Sequence, residues 1–180
     1  MKKLQSAIEL HGPPCSGKST FLRSVTGTVF TSWKPILYYF ILGLCYLILK
    51  NRKGLYFIYK HSTGSDKRYF FRLRAFLHCV CKFSFFRIQH LQVSFIDEGI
   101  SQIPYIMCLQ NDAINDFFMS FSVELNSFHF MSTKNLSIDE IEKRLALRGH
   151  KKTDNMTVTD RRDYIRDQIR IHNMIIRLET

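Results

Sequence analysis

Ala7-Ile8-Glu9-Leu10-His11-Gly12-Pro13-Pro14-Cys15-Ser16-Gly17-Lys18-Ser19-Thr20 begins as a short apolar run and closes on the spacing G-x-x-x-x-G-K-S. Ala7, Ile8 and Leu10, with Leu4 upstream, predict a strand that runs into Gly12, and Lys18 to Val25 predicts a helix. Strand, glycine loop and helix then stand in the order that a phosphate-binding loop needs. Gly12 and Gly17 allow backbone angles that a side chain would obstruct, so successive amides can point inward at phosphate oxygens. With glycine at about 7% of residues in general, a chance match in a chain of this size is of order one in a hundred. The loop's candidate nucleotide contacts are therefore Gly12, Pro13, Pro14, Cys15, Ser16, Gly17, Lys18, Ser19 and Thr20. Lys18 suits the β and γ phosphates, and the Ser19 hydroxyl suits Mg²⁺.

Further along, Leu91 to Ile96 (LQVSFI) predicts a strand by its β-rich composition, and it ends at Asp97-Glu98-Gly99. Asp97 at that position is a second acidic element that holds Mg²⁺ through water or, with Glu98, orients a nucleophile. A solvated pair of acids at a strand end is the alternative reading. The third element is the basic helix end Glu142 to Lys152, where Arg144 and Arg148 lie four apart and share a face. A guanidinium stays ionised and makes several directed hydrogen bonds, which suits charge developing on a phosphoryl group. A solvated, dipole-favoured helix end is the plainer account of the same residues.

The remaining segments place these motifs. Leu55 to Tyr59 (LYFIY) reads as a strand and Tyr69 to Phe86 as a helix. Ile100 to Leu109 is helical around Pro104, a second helix covers Ile114 to Leu125, and Ser127 to Ser132 alternates as a strand. Ser137-Ile138-Asp139-Glu140 is a capping box that opens a helix from about Ile138 to Arg148. A last helix, starting near Thr157 or Thr159, puts Ile165, Ile169, His172 and Ile176 on one face. Strands alternating with helices imply an α/β fold with a largely parallel sheet covered by helices on both faces. Ligands in that class sit beyond the carboxyl ends of the strands, so Gly12 and Asp97 are expected to share one site.

At 180 residues with 46% hydrophobic content, the chain supports one compact domain, read as residues 1–180. Its formal charge of +11 is uneven: residues 50–90 hold ten Lys and Arg against Asp66 alone, a net +9. Such a stretch attracts phosphates, anionic lipid headgroups or nucleic acid. Five cysteines without C-x-x-C spacing suggest neither a disulfide framework nor a zinc cage, and His78, Cys79 and Cys81 match no zinc signature. A reduced, cytoplasmic chain without a signal peptide is the expectation. Ile36 to Leu49 (ILYYFILGLCYLIL) is an unbroken apolar run of 14 residues between basic flanks, short of the roughly 20 needed for a span. It reads as a buried helix or as an interfacial helix anchored by its flanks, with residues 30–60 as the segment for peripheral membrane contact.

On these motifs the chain resembles the P-loop kinases of small molecules, in the group that includes thymidylate and adenylate kinases. GPPCSGKST matches the loop, FIDEG the strand ending in an acidic motif, and SFHFMS with the capped helix and Arg148-Gly149 the strand and lid that follow; the closing helix with Tyr164 also fits. The resemblance covers residues 4–27 and 91–178, and only the loop is specific. It implies a P-loop NTPase three-layer α/β/α sandwich in which Lys18 and Ser19 handle phosphate and Mg²⁺, Asp97 the acceptor or metal, and Arg144 and Arg148 the lid. Thymidylate kinases place arginine after the aspartate, where this chain has Glu98. The family also adds a strand near the adenine base, beyond where this chain stops at Thr180, so abbreviated base contacts are expected. Residues 28–90 match nothing in it and read as an aromatic, basic insert on the acceptor or membrane side.

The expected function is transfer of the γ-phosphoryl group of ATP to a small-molecule or lipid-linked acceptor. An ATPase switch acting on a protein partner is the second reading, supported by Glu98. A basic module binding membrane or nucleic acid, with a vestigial loop, is the third, and nucleic acid is the least expected partner.

Overall fold

The computed structural model describes residues 7–25, 27–31, 36–63, 69–88, 93–133, 137–148 and 156–179. Leu4 and Leu91-Gln92 of the expected strands, and Gly149 to Lys152 of the expected lid, lie outside them. Four short strands form one sheet: β1 (Ile8–His11), β2 (Val29–Thr31), β3 (Phe95–Asp97) and β4 (His129–Ser132). Their order is β2-β3-β1-β4 and every pairing is parallel. Parallel neighbours need a crossover, and helices supply each one. Helix α1 (Lys18–Ser24) follows β1; α2 (Ile36–Lys50), α3 (Arg52–Thr63), α4 (Tyr69–Lys82) and a 3-10 segment (Phe83–Arg87) lie between β2 and β3. After β3 come a 3-10 turn (Ile100–Gln102), α5 (Ile103–Met107), α6 (Asn111–Ser120) and α7 (Ser122–Leu125), and after β4 come α8 (Ile138–Arg148) and α9 (Val158–Glu179).

The expected parallel α/β architecture is present. β2 is a strand the sequence reading did not place, at the start of the stretch read as an insert. LYFIY is helical, not extended: it lies inside α3, where Gly54, Phe57, Ile58 and Ser62 are buried at helical spacing while Tyr56 and Tyr59 face out. Asn51 starts that helix by accepting from the Gly54 amide (2.7 Å), and its own amide group donates to Ser120 O and to the buried Glu124 carboxylate, both at 2.9 Å. The helix over Ile36–Lys50 forms and is buried on one side only, where Tyr39, Phe40, Leu42, Leu44 and Tyr46 pack partly buried against the core. Only Gly43 and Leu47 are buried, whereas Ile36, Leu37, Tyr38, Ile41, Ile48 and Leu49 are exposed. Gly43 marks the seam on which α2 rests, because a Cβ there would lie 2.0 Å from the Val80 carbonyl of α4.

The larger core is aromatic. Phe83 meets Phe121 at 5.1 Å between ring centroids, Phe117 meets Phe121 at 5.2 Å, and Tyr46 stacks on Phe86 at 4.7 Å, so the insert and α6–α7 share one apolar interior. A smaller cluster of Ile141, Leu145 and Ile165 joins α8 to α9 and takes in the Cys15 side chain. The capping box is made as expected: Ser137 N donates to Glu140 Oε2 (3.0 Å) and Glu140 N to Ser137 Oγ (3.3 Å).

His172 is a polar insertion where α9 covers the sheet. It is buried, with Nδ1 2.8 Å from the Tyr105 hydroxyl, Nε2 3.3 Å from Ser132 Oγ, and its ring centroid 5.4 Å from that of His11. Burial first, and then the nearby His11 and Lys18, lower its pKa to about 4. The unfolded chain therefore binds the proton more readily between an ordinary value of about 6.5 and the lowered one, and the stability linked to this group falls as pH drops through that window. In urea titrations at pH 7.5 and 5, His172→Gln is expected to flatten the loss of stability on acidification; an unchanged slope would show that His172 does not titrate in this way.

Candidate functional site

Because β1 is flanked in parallel by β3 and β4, the carboxyl ends of three strands lie together. Leu10 is in register with Asp97, and His11 with Ser132. The chain leaves β1 through Gly12 at φ +150°, pressed so close to β4's exit that a Cβ would stand 2.0 Å from Thr133 Oγ1. Thr133 N donates to His11 O at 3.1 Å and fixes that exit. Cys15 (φ 60°) and Gly17 (φ 101°) are left-handed within the loop, and Ser16 N donates to Pro13 O at 3.3 Å. Left-handed residues of this kind can turn neighbouring amides toward an anion, and here Cys15, Gly17 and Lys18 are the ones with an N–H to offer, since Pro13 and Pro14 have none and Ser16 N is bonded to Pro13 O. Ser16 is buried, and its hydroxyl has no hydrogen-bond partner among the described residues.

Lys18 turns back over the loop, its ammonium donating to Gly12 O (2.7 Å) and Pro13 O (3.0 Å). Burial pulls its pKa down to about 8, opposed by the carboxylates of Glu98 and then Asp97. The lysine and the strand-end acids are therefore one electrostatic unit. Asp97 is shifted upward by burial and by Glu98, against the pull of Lys18 and Lys82. Glu98 has a positive φ of 54°, uncommon for a side-chain-bearing residue.

That turn is held from below by groups that the sequence reading missed. Lys82, the last residue of α4, is buried and donates its ammonium to the Glu98 carbonyl. Glu9 on β1 is fully buried; its Oε1 accepts from the Ser101 amide (2.6 Å) and hydroxyl (2.5 Å), while Oε2 has no hydrogen bond among the described residues. Burial raises the Glu9 pKa, with Ser101 and Lys82 pulling the other way. A charged residue in the middle of an apolar strand was the available signal for Glu9. Lys82 was hidden among the ten basic residues of its stretch.

From the other side α8 approaches the loop. Arg144 Nη1 donates to Cys15 O at 3.2 Å, and the Cys15 side chain packs into the cluster of α8 and α9. Arg162 braces the two helices through Asp139 and Glu142, both at 3.0 Å. Arg148 is the last residue of α8, one turn beyond Arg144. Of the expected site residues, the loop, Lys18, Asp97, Glu98 and Arg144 are thus brought to one place, and Ser19 and Thr20 occupy the exposed first turn of α1.

A Mg²⁺ ion fits only as a partner of phosphate. Among the described residues no three His, Cys, Asp or Glu side chains gather to hold a metal. Ser19 and Asp97 are the oxygen donors that the sequence reading offers such an ion, which would take the rest of its coordination from phosphates and water.

No family model, no curated protein and no solved structure matches this chain.

A phosphate anion bound at Lys18 would stabilise its ammonium, so the binding constant should be flat below about pH 8 and weaken by up to tenfold per unit above it. Calorimetric titration with a nucleoside triphosphate across pH 7 to 9.5 checks this; affinity indifferent to pH over that range would mean that Lys18 does not meet phosphate.

Proposed function

We propose that the chain binds a nucleoside triphosphate with Mg²⁺ on the Gly12–Thr20 loop and transfers the γ-phosphoryl group, ATP being the expected donor, to a small-molecule or lipid-linked acceptor. The single observation that carries this reading is the gathering of Lys18, Asp97-Glu98 and Arg144 around one loop that is left-handed at Cys15 and Gly17. A P-loop NTPase-like three-layer sandwich forming one domain is the architecture that goes with it, and the parallel order β2-β3-β1-β4 supports that assignment.

In this mechanism the loop amides and Lys18 neutralise the β and γ phosphates, Lys18 exchanging one loop carbonyl for a phosphate oxygen. An acceptor hydroxyl attacks the γ phosphorus as the bond to the β-bridging oxygen breaks, and the hydroxyl proton passes to Asp97. The upward shift of Asp97 makes it a better proton acceptor than an ordinary aspartate. Arg144, one hydrogen bond away from the loop at Cys15, can move to the transferring group, with Arg148 one turn behind it. Ser19 would hold Mg²⁺ directly and Asp97 would reach it through water, and the ion would withdraw charge from the phosphate oxygens.

A second reading, an ATPase switch acting on a protein partner, rests on Glu98, which stands beside Asp97 at the end of β3 and whose charge reaches Lys18. A glutamate at that position can activate water instead of leaving the acceptor to attack.

Incubation with γ-labelled ATP, Mg²⁺ and fractionated metabolites and lipids distinguishes the two. Label on an acceptor, abolished in Lys18→Ala, is the expected outcome. Loss of one charged hydrogen-bond donor should weaken nucleotide binding about 10- to 100-fold. Release of free phosphate alone would replace the kinase reading with the switch.

A further inference from the structure

We infer that the outer face of α2, continued by α3, docks the protein on an anionic membrane surface. On α2 the exposed residues Leu37, Ile41 and Ile48, with Tyr38 and Leu49, fall within about a third of the helix circumference at 100° per residue. Gly43 and Leu47, which rest on the protein interior, lie on the opposite side. Leu37 is 71% exposed and Leu49 64%, so large apolar side chains stand in water at both ends of this face. The helix has 15 residues, about 22 Å, against about 30 Å of hydrocarbon, and no helix among the described residues is long and apolar enough to cross a membrane. A face of this kind lies in the membrane interface.

Charge selects the occupant. Lys50, Arg52, Lys53 and Lys60 are exposed, and no acidic residue occurs between Ile36 and Thr63. Arg52 Nε donates to Ile48 O at 3.0 Å, which places its guanidinium group beside the end of the apolar stripe. On α3, Tyr56 and Tyr59 are exposed on the same face as Lys53 and Lys60, an alternation of aromatic rings and long basic stems suited to the headgroup layer. Nucleic acid would use the basic residues but leave the leucines and isoleucines in water. An anionic lipid surface takes both, the acyl boundary receiving Leu37, Ile41, Ile48 and Leu49, and the headgroups receiving the lysines. This surface does not depend on the phosphate loop or on any turnover there.

The test is sedimentation of the whole chain with phosphatidylcholine vesicles, with and without phosphatidylserine. Binding is expected with phosphatidylserine, weakening as salt rises. Leu37→Glu/Ile41→Glu and, separately, Lys53→Glu/Lys60→Glu should each reduce it about tenfold or more. All four positions are exposed, so circular dichroism and thermal midpoint should stay close to those of the parent chain. Absence of binding to phosphatidylserine vesicles, or binding that neither variant changes, overturns the proposal. So does a parent chain that dimerises in solution, ignores vesicles and becomes monomeric in Leu37→Glu/Ile41→Glu, because the face would then be covered by a second copy.

Discussion

Hydrogen bonding of β1 to parallel partners on both of its edges is the constraint from which the site follows. Parallel strands end on the same side, so what leaves β1, β3 and β4 emerges together. Gly12, Asp97 and Thr133 are brought into one neighbourhood by backbone pairing before any side chain contributes. The sharp exit at Gly12 is then enforced by the nearness of Thr133, where only a residue without a Cβ fits. Lys18, the first residue of the next helix, folds back over the loop and comes under the charge of Asp97 and Glu98. The smaller core of α8 and α9 holds Cys15 from above, which brings Arg144 within hydrogen-bonding distance.

Beneath this arrangement lies an electrostatic foundation that is costly to build. Burying a carboxylate and an ammonium removes both from water, and the return is geometric fixity only when their partners are well placed. Lys82 holds the Glu98 carbonyl, and Glu9 holds the start of the following turn through Ser101. Together they pin both ends of the Glu98–Ser101 corner, including the positive φ at Glu98. The buried titratable groups act with opposite signs. Glu9, raised by burial, adds stability at low pH that is lost as pH rises through its shifted value, whereas His172 adds stability at neutral pH that is lost on acidification.

Much of this was legible in the residues, unevenly. The loop announces itself because glycine is the residue that tolerates those angles, and its two glycines and lysine stand at fixed spacing. Ser137 and Glu140 were legible because a capping box is a local interaction between residues three apart. LYFIY misled because β-rich composition says nothing about which neighbours cover it; burial at Gly54, Phe57, Ile58 and Ser62 follows helical spacing once α4 is present. The apolar run at Ile36–Leu49 left its environment open for the same reason, since composition cannot say how much surface the rest of the fold has to offer. Lys82 and Glu9 escaped because their roles are long-range: Lys82 reaches 16 residues along the chain to Glu98, and Glu9 reaches 92 residues to Ser101.

If the Gly12–Thr20 loop holds polyphosphate, as proposed, equilibrium binding of adenosine, AMP, ADP and ATP in the presence of Mg²⁺ will reveal it. Affinity should climb with each added phosphate, and the climb should disappear in Lys18→Ala. Equal affinity for adenosine and ATP, or no binding of ATP by the folded chain, would contradict the account.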